Sequence, residues 1–489
     1  MVHIAFDNTY ARDLQGMYVP VEGAPAPAPE MVLLNEGLAR ELGLDPAALQ
    51  TPAGLAMLSG SAMPEGAAPL AMAYAGHQFG GFTPQLGDGR ALLVGEVIDA
   101  HGQRRDIHLK GSGRTPFSRG GDGKAALGPV LREFIVGEAM HHLGVPTTRA
   151  LSAVATGETV WRETPLPGAV LARVASSHLR VGTFQFFAAR GDTASLRRLA
   201  DYAIARHDPD LTGAEDRYAR FLDRVIERTM RLVAQWMAVG FVHGVMNTDN
   251  TAISGETIDY GPCAFMDAYD PMAVFSSVDT FARYAYARQP VLAQWNLARL
   301  AETLLPLIAP EDPETALPAA QDAIERAPAI FAAAHRDRFA AKLGIAEPAE
   351  ADTARIEAFL ELLGAAGADF TQAFRSLADA ARGDDTALWA QLKGAPGLQD
   401  WCAGWRARIA AQPGGAEAAA ARIAATNPVY IPRNHRVEAA LDAAQRGDLA
   451  PTRRLLQALA APFTPKAEFA DLEGPAPVDF GPYVTYCGT

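Results

Sequence analysis

A mixed α+β chain of two lobes followed by a mostly helical region is predicted by three observations. Its 489 residues exceed one ordinary domain. Up to about Phe281 the sequence is punctuated by glycine and mixes short β-like runs with two strong helical patterns. After Gln289 it turns Ala- and Leu-rich, and strand signals stop.

The elements follow in order. "VEGAPAPAPEM" is a Pro/Ala-rich connector, and "MVLLNEGLARELGLD" after it is expected to be helical. "ALLVGEVID" and "DIHLKG" read as strands joined by a turn at His101-Gly102. "GPVLREFIVGEAMHHLGVP" reads as a helix, with Pro129 near its start and Gly144 then Pro146 ending it. In "DRYARFLDRVIERTMRLVAQWMAVG", Phe221, Leu222, Val225, Ile226, Leu232, Val233 and Trp236 recur at helical spacing. Helical segments continue to about Leu459, and the tail "FADLEGPAPVDFGPYVTYCGT" is broken by Pro and Gly into irregular structure. No fixed-period repeat is present.

Composition excludes several function classes. Hydrophobic residues make up 49% and charged residues 20%, as in ordinary globular proteins. A net charge of −13 argues against a nucleic-acid or anionic-membrane binder. There is no apolar run long enough to span a bilayer and no secretory n-region, so a cytoplasmic protein is expected. Three scattered cysteines, Cys263, Cys402 and Cys487, suit neither a disulfide scaffold nor a zinc site. Cys402 is expected to be a buried structural thiol.

The chemistry concentrates in three stretches. "QLGDGRALLVGE" opens the first strand pair with Gly87-Asp88-Gly89, a plain turn or a backbone able to approach phosphates closely. "RRDIHLKGSGRTPFSRGGDGKAALGPVLR" holds seven Lys/Arg against two Asp in an otherwise acidic chain. Interleaved with glycines, these charges form either a solvated face or a polyphosphate cradle with Lys110 at a strand end. It is not a Walker A loop, since Ala125 follows Lys124 and Ser118 takes the first glycine's place. Glu133 and Glu138 on the next helix are the candidates to hold Lys110, and Glu133 leads in this ordered series.

The third stretch is "GFVHGVMNTDNTAISGETIDYGPCAF". A protein-kinase loop H-R-D-x-x-x-x-N supplies a base at its third position and a metal ligand at its eighth. Here His243 opens the loop and Asn250 stands eighth, but the third position is Val245, which can take no proton. Asp259-Tyr260-Gly261 follows, and "TAISGETI" between Asn250 and Asp259 is expected to be a short hairpin that brings both to one divalent ion. Asp249 is the one carboxylate within the loop: a substitute base, an orienter of the metal ligand, or a loop cap. With an ordinary carboxyl pKa near 3.9, and beside a metal, it would be ionised.

This order of features predicts a protein-kinase-like bilobed fold with an N-terminal extension and a mostly helical C-terminal region. The expected divisions are 1–70 (extension), 71–185 (N-lobe), 186–289 (C-lobe), 290–465 (helical region) and 466–489 (irregular tail with Cys487).

At these residues the chain resembles the selenoprotein O family of protein adenylyltransferases, the YdiU-type pseudokinases. "FDNTYAR", "YAGHQFGGFTPQLGDGRA", "HLKGSGRTPFSRGGDGKA", "HGVMNTDNTAI", "DYGPCAFMD" and "NPVYIPRNHRVEAAL" carry the resemblance over nearly the whole length. It implies ATP bound in a flipped pose and AMP transferred to Ser, Thr or Tyr hydroxyls of proteins, itself included, with pyrophosphate leaving. By the same resemblance Asp249 is the proton acceptor, and Asn250 and Asp259 hold Mg²⁺, or Mn²⁺. Gly87, Gly89, Arg90, Lys110, Asp122, Gly123 and Asp259 contact ATP, Arg173 and Arg180 take its displaced terminal phosphates, and Glu133 positions Lys110. A redox disulfide between Cys263 and Cys487 is likewise implied, although in this chain Cys487 is followed by Gly488-Thr489. The expected partners are ATP and protein substrates, with no nucleic acid or membrane, and the expected state is a monomer. Two rivals remain at this point: an atypical kinase transferring the γ-phosphate, and a nucleotide-binding pseudokinase scaffold without chemistry.

Overall fold

The computed structural model describes residues 3–486. Its framework is an antiparallel sheet in the order β1-β3-β6-β7-β10-β9-β2, with β8 added against β10. The strands are β1 (Tyr18–Pro20), β2 (Glu30–Leu34), β3 (Leu70–Met72), β6 (Ala91–Ile98), β7 (Arg104–Lys110), β8 (Ala125–Ala126), β9 (Arg149–Trp161) and β10 (Pro165–Ala175). A small hairpin, β4 (Gly76–Gln78) with β5 (Gly81–Thr83), stands apart from the sheet. The predicted strand pair is β6–β7, turned at Gly102 with φ 74°.

The N-terminal segment supplies both edges of this sheet, β1 beside β3 and β2 beside β9. The Pro/Ala-rich connector between them passes Ser112 and Thr156, whose carbonyls accept from Ala24 N (2.7 Å) and Ala28 N (3.1 Å). The helix expected from Met31 onward begins later. Residues 30–34 are strand, because "MVLL" pairs with β9, and Asn35 then caps a short helix, Glu36–Glu41, by accepting from Leu38 N. A cap residue with a side-chain acceptor sets that boundary, which apolar content alone does not mark.

Alternation along β7 decides what each face of the sheet does. Ile107 and Leu109 point into a core with Leu38, Leu42, Leu49, Met57 and Leu58 from the N-terminal helices. Asp106, His108 and Lys110 point the other way, and His108 stands opposite Arg173 of β10. Residues directly opposite in an antiparallel pair share a face. The register therefore assembles a charged front face from two strands.

The lysine-facing helix, Leu127–His142, is buried over almost its whole length. Its Leu127, Val130, Leu131 and Phe134 pack with Ala150, Ala169 and Leu171 of the sheet, and also with Val437, Leu441, Leu455 and Leu459 from the end of the chain. Those last four lie on two helices, Asn434–Gln445 and Ala450–Leu459. Across the cleft, the long amphipathic helix Arg217–Ala238 buries the predicted stripe and leads into β11 (Phe241–Val242). β11 pairs with β12 (Ala264–Phe265), which brings the loop after Val242 beside the Asp-Tyr-Gly segment before β12. Arg206, on helix Thr193–His207, ties this half to the sheet through Glu96 and Asp106, each at 2.5 Å. From Gln289 to Leu459 the described elements are all helical, as expected. No helix among the described residues is long and apolar enough to cross a membrane.

Candidate active site

The charged sheet face and the loop after β11 enclose one cleft. Among the residues lining it are Tyr74, Asp88, Gly89, Arg90, Lys110, Arg173, Arg180, Asp249, Asn250 and Asp259. Eight positions singled out from the sequence thus converge. Glu133 stands behind Lys110, while Gly87, Asp122 and Gly123 are not among the lining residues. Gly87 is needed for packing, since a Cβ there would lie 2.3 Å from the Phe117 ring. Asp122 pairs with Arg162 at 2.8 Å, on the basic glycine-rich loop. That loop folds over the first one: Thr115 Oγ1 donates to Asp88 O at 2.6 Å, and Gly111 N donates to Arg90 O at 2.7 Å.

A continuous network lies beneath the cleft. Lys110 Nζ donates to Glu133 Oε2 at 2.6 Å and to Asp259 Oδ1 at 3.1 Å. Arg173 donates to Glu133 Oε1 at 3.0 Å and to His108 Nδ1 at 3.3 Å. Since His108 accepts there, its other nitrogen carries the proton and donates to Asp88 Oδ2 at 3.2 Å. Burial keeps the His108 imidazole below its usual pKa and therefore neutral, stacked 4.2 Å from His178. Glu138, the other candidate for Lys110, instead binds Arg149 at 2.7 Å.

Opposing effects set the carboxylates apart. Burial pushes Asp259 up, but Lys110 and then Arg90 outweigh it and hold the group below the usual carboxylate range. For Asp88, burial is outweighed by His108, Arg180 and the Met72 N–H, which hold it at about 2. Asp249 goes the other way. Burial raises it to about 6 against the pull of Arg180 and a 3.3 Å hydrogen bond from Gln78. The ordinary pKa expected for Asp249 is thereby corrected: its loop is desolvated on both sides. A Cβ on Gly76 would sit 2.4 Å from Asp249 Oδ1, and one on Gly182 would sit 2.1 Å from Ala75 O and 3.4 Å from Asp249 Cα. Oδ1 has no hydrogen-bond partner.

"TAISGETI" is not a self-paired hairpin. Its arms bridge different neighbours, Ala252 with Arg180 and Thr257 with Thr147, around a turn at Gly255. Both Asn250 and Asp259 nonetheless line the cleft. Asn250 spends its amide N–H on Val245 O (3.3 Å), which leaves its oxygen for a cation. No group of three or more His, Cys, Asp or Glu able to hold a metal occurs among the described residues. A two-oxygen protein set nonetheless fits Mg²⁺, which takes its remaining ligands from phosphate and water. Asp259 holds φ at 69°, a left-handed conformation that costs about 1–3 kcal/mol and is kept at sites that need it.

Residues the sequence reading missed include Tyr74, whose ring lies 4.2 Å from the Arg180 guanidinium, and His108. Both sit in stretches quoted above, but only strand register exposes their roles. Cys402 is buried, as expected. Cys263 is buried too, its thiol pushed up to about 12 by burial, and Cys487 lies outside the described residues. Thr485 Oγ1 donates to the carbonyl of Pro262 at 2.8 Å, so the tail runs beside the residue preceding Cys263.

Comparison with known proteins adds to this geometry. The family model described as protein adenylyltransferase SelO matches residues 1–460. A protein nucleotidyltransferase YdiU of Cereibacter sphaeroides (strain ATCC 17025) is 58% identical over 486 residues, covering 99% of both chains. Similar proteins of the same name from Bradyrhizobium sp. (strain BTAi1) and Rhodopseudomonas palustris (strain CGA009) are each 54% identical, covering 99% or more of both chains.

Proposed function

The chain belongs to the SelO family of protein adenylyltransferases, and from that premise we propose that it transfers AMP from ATP to Ser, Thr or Tyr hydroxyls of proteins, releasing pyrophosphate. The observation that carries this reading is the pairing of a desolvated carboxylate, Asp249, with a cleft holding four cations: Arg90, Lys110, Arg173 and Arg180. A general base works best with a pKa near the operating pH, and burial moves Asp249 in that direction.

Asp249, which lines the cleft, accepts the proton of the acceptor hydroxyl as that oxygen attacks the α-phosphorus. The P–O bond to pyrophosphate breaks, and Arg173 and Arg180 offset the charge that leaves. Both guanidinium groups are already oriented, Arg173 by Glu133 and Arg180 by the Tyr74 ring. Lys110, fixed between Glu133 and Asp259, meets a phosphate as a point charge. Gly89, where a Cβ would lie 2.8 Å from Phe117 O, lets the basic loop pack against the wall of the cleft. Asn250 and Asp259 would hold Mg²⁺ or Mn²⁺, which supplies charge neutralisation at phosphate oxygens when bound. A γ-phosphate kinase of the ordinary kind keeps a carboxylate at the position Val245 occupies.

The Cys263–Cys487 pair is proposed as a redox control on this site, supported by the tail's seat at Pro262.

The test uses ATP labelled at the α or the γ phosphorus. Asp249→Ala is expected to lose α-label transfer while keeping ATP binding, whereas Asp259→Ala also weakens metal-dependent binding. Near-normal transfer by Asp249→Ala would remove the base assignment, and label arriving only from γ would replace the transfer reading with a kinase.

A further inference from the structure

We propose that an apolar groove at the mouth of the cleft seats the acceptor polypeptide, selecting a hydroxyl flanked by a bulky apolar residue and an acidic one. This rests on the transfer reading above and adds the class of acceptor.

The groove is lined by Phe79, Val278, Phe281, Arg283, Arg288 and Val291, among others. Four of these are large apolar side chains left in solvent: Phe281 is 87% exposed, Val291 66%, Val278 48% and Phe79 44%. Single exposed apolar residues need no explanation, but a cluster facing one groove marks a binding surface.

The groove is continuous with the catalytic loop. Phe79 follows Gln78, whose amide donates to Asp249 Oδ2 at 3.3 Å. Phe79 N donates to Asn247 Oδ1 (3.3 Å) and to Tyr284 OH (3.2 Å), and Tyr284 OH donates to Asn247 Oδ1 at 2.6 Å. One wall of the groove is therefore bonded to the loop that carries the base. An acceptor hydroxyl reaching Asp249 brings its flanking residues to this place.

Charge complementarity names the second preference. Arg283 and Arg288 form no ion pair with a carboxylate among the described residues. The Arg283 guanidinium lies 5.3 Å from the Trp295 ring, and its Nε is buried without a partner. Asp279, the carboxylate on the rim, is already taken by the backbone N–H groups of Arg283 (2.8 Å) and Tyr284 (2.7 Å). Arg288 donates to the carbonyls of Phe281 (3.3 Å) and Ala282 (3.0 Å), which orients it without neutralising it, so both positive charges remain for an acidic residue of the acceptor.

The experiment offers the intact protein α-labelled ATP, Mg²⁺ and two sets of hydroxyl-bearing peptides. One set is flanked by Phe or Leu and Glu, the other by Gly and Lys. Phe281→Ser removes an exposed side chain and leaves the core untouched. It is expected to lower label on the first set by about tenfold or more, what burial of one large apolar side chain is worth. The ATP-induced thermal shift should not change. Arg283→Glu is expected to move preference from Glu- towards Lys-flanked peptides. Equal labelling of both sets by the wild type, labelling confined to the enzyme itself, or indifference to Phe281→Ser overturns the groove alone. No α-label on any acceptor from the wild type overturns the transfer reading, and the groove's role with it.

Discussion

Asp249 is shaped as much by two glycines as by its own carboxyl. Gly76 and Gly182 let backbone pass where a methyl group cannot fit, and water is excluded with it. Gly76→Ala should displace the carboxylate by roughly an ångström, which costs on the order of a hundredfold in transfer rate when a reacting group is mispositioned. ATP binding should persist, and comparing labelled product with a nucleotide-induced thermal shift separates the two. Sequence reasoning reached Asp249 through its neighbours in the motif but could not reach its pKa, because the burial comes from segments far away in the chain. Arg173 and Arg180 show the same limit. As isolated residues they look like surface charges on strands, yet they are 4% and 6% exposed. Arg173 is buried by strand register, whereas Arg180 lies beyond the strand as the N-cap of helix Val181–Ala188, bridged to Ala252; a single sequence prints neither.

At the scale of elements, patterns with a strong period were legible and local pairings were not. The Arg217–Ala238 helix and the β6–β7 hairpin follow from periodicity and turn chemistry. The "MVLL" strand and the bridged loop 251–258 do not, since both depend on partners supplied by distant segments. The helix Leu317–Lys342 holds a feature no pattern announces. Lys342 is 2% exposed, with its ammonium over the rings of Phe374 (4.2 Å) and Phe370 (5.0 Å). Burial lowers its pKa to about 7 from 10.5. Between those values the unfolded chain holds a proton that the folded one has released, so stability rises as pH climbs through this window. Unfolding midpoints measured from pH 7 to 10 should climb accordingly in the wild type relative to Lys342→Met. The difference between the two curves isolates this group from other titrating side chains.

For the whole molecule, the decisive contacts join parts of the chain that are remote in sequence. Arg433, fully buried, donates to Asp369 at 2.6 Å and to Asp267 at 2.5 Å. It comes from the "NPVYIPRNHRVEAAL" stretch that carried part of the family resemblance, and its place in the structure is a staple, away from the cleft. Arg433→Ala leaves Asp369 buried and unpaired, which should cost about 3–5 kcal/mol, readable as a lowered denaturation midpoint. The same part of the chain covers the outer side of the lysine-facing helix, on which Glu133 sits. That arrangement has a consequence for synthesis. The helix ends at His142, but the segments that cover it begin only at Asn434. At ordinary elongation rates a ribosome needs on the order of tens of seconds to cover that interval. Throughout it, the nascent polypeptide already carries Lys110, while the helix whose Glu133 holds that lysine has one apolar flank bare. A modifying enzyme built this way has its grip completed only when nearly all of it has been translated.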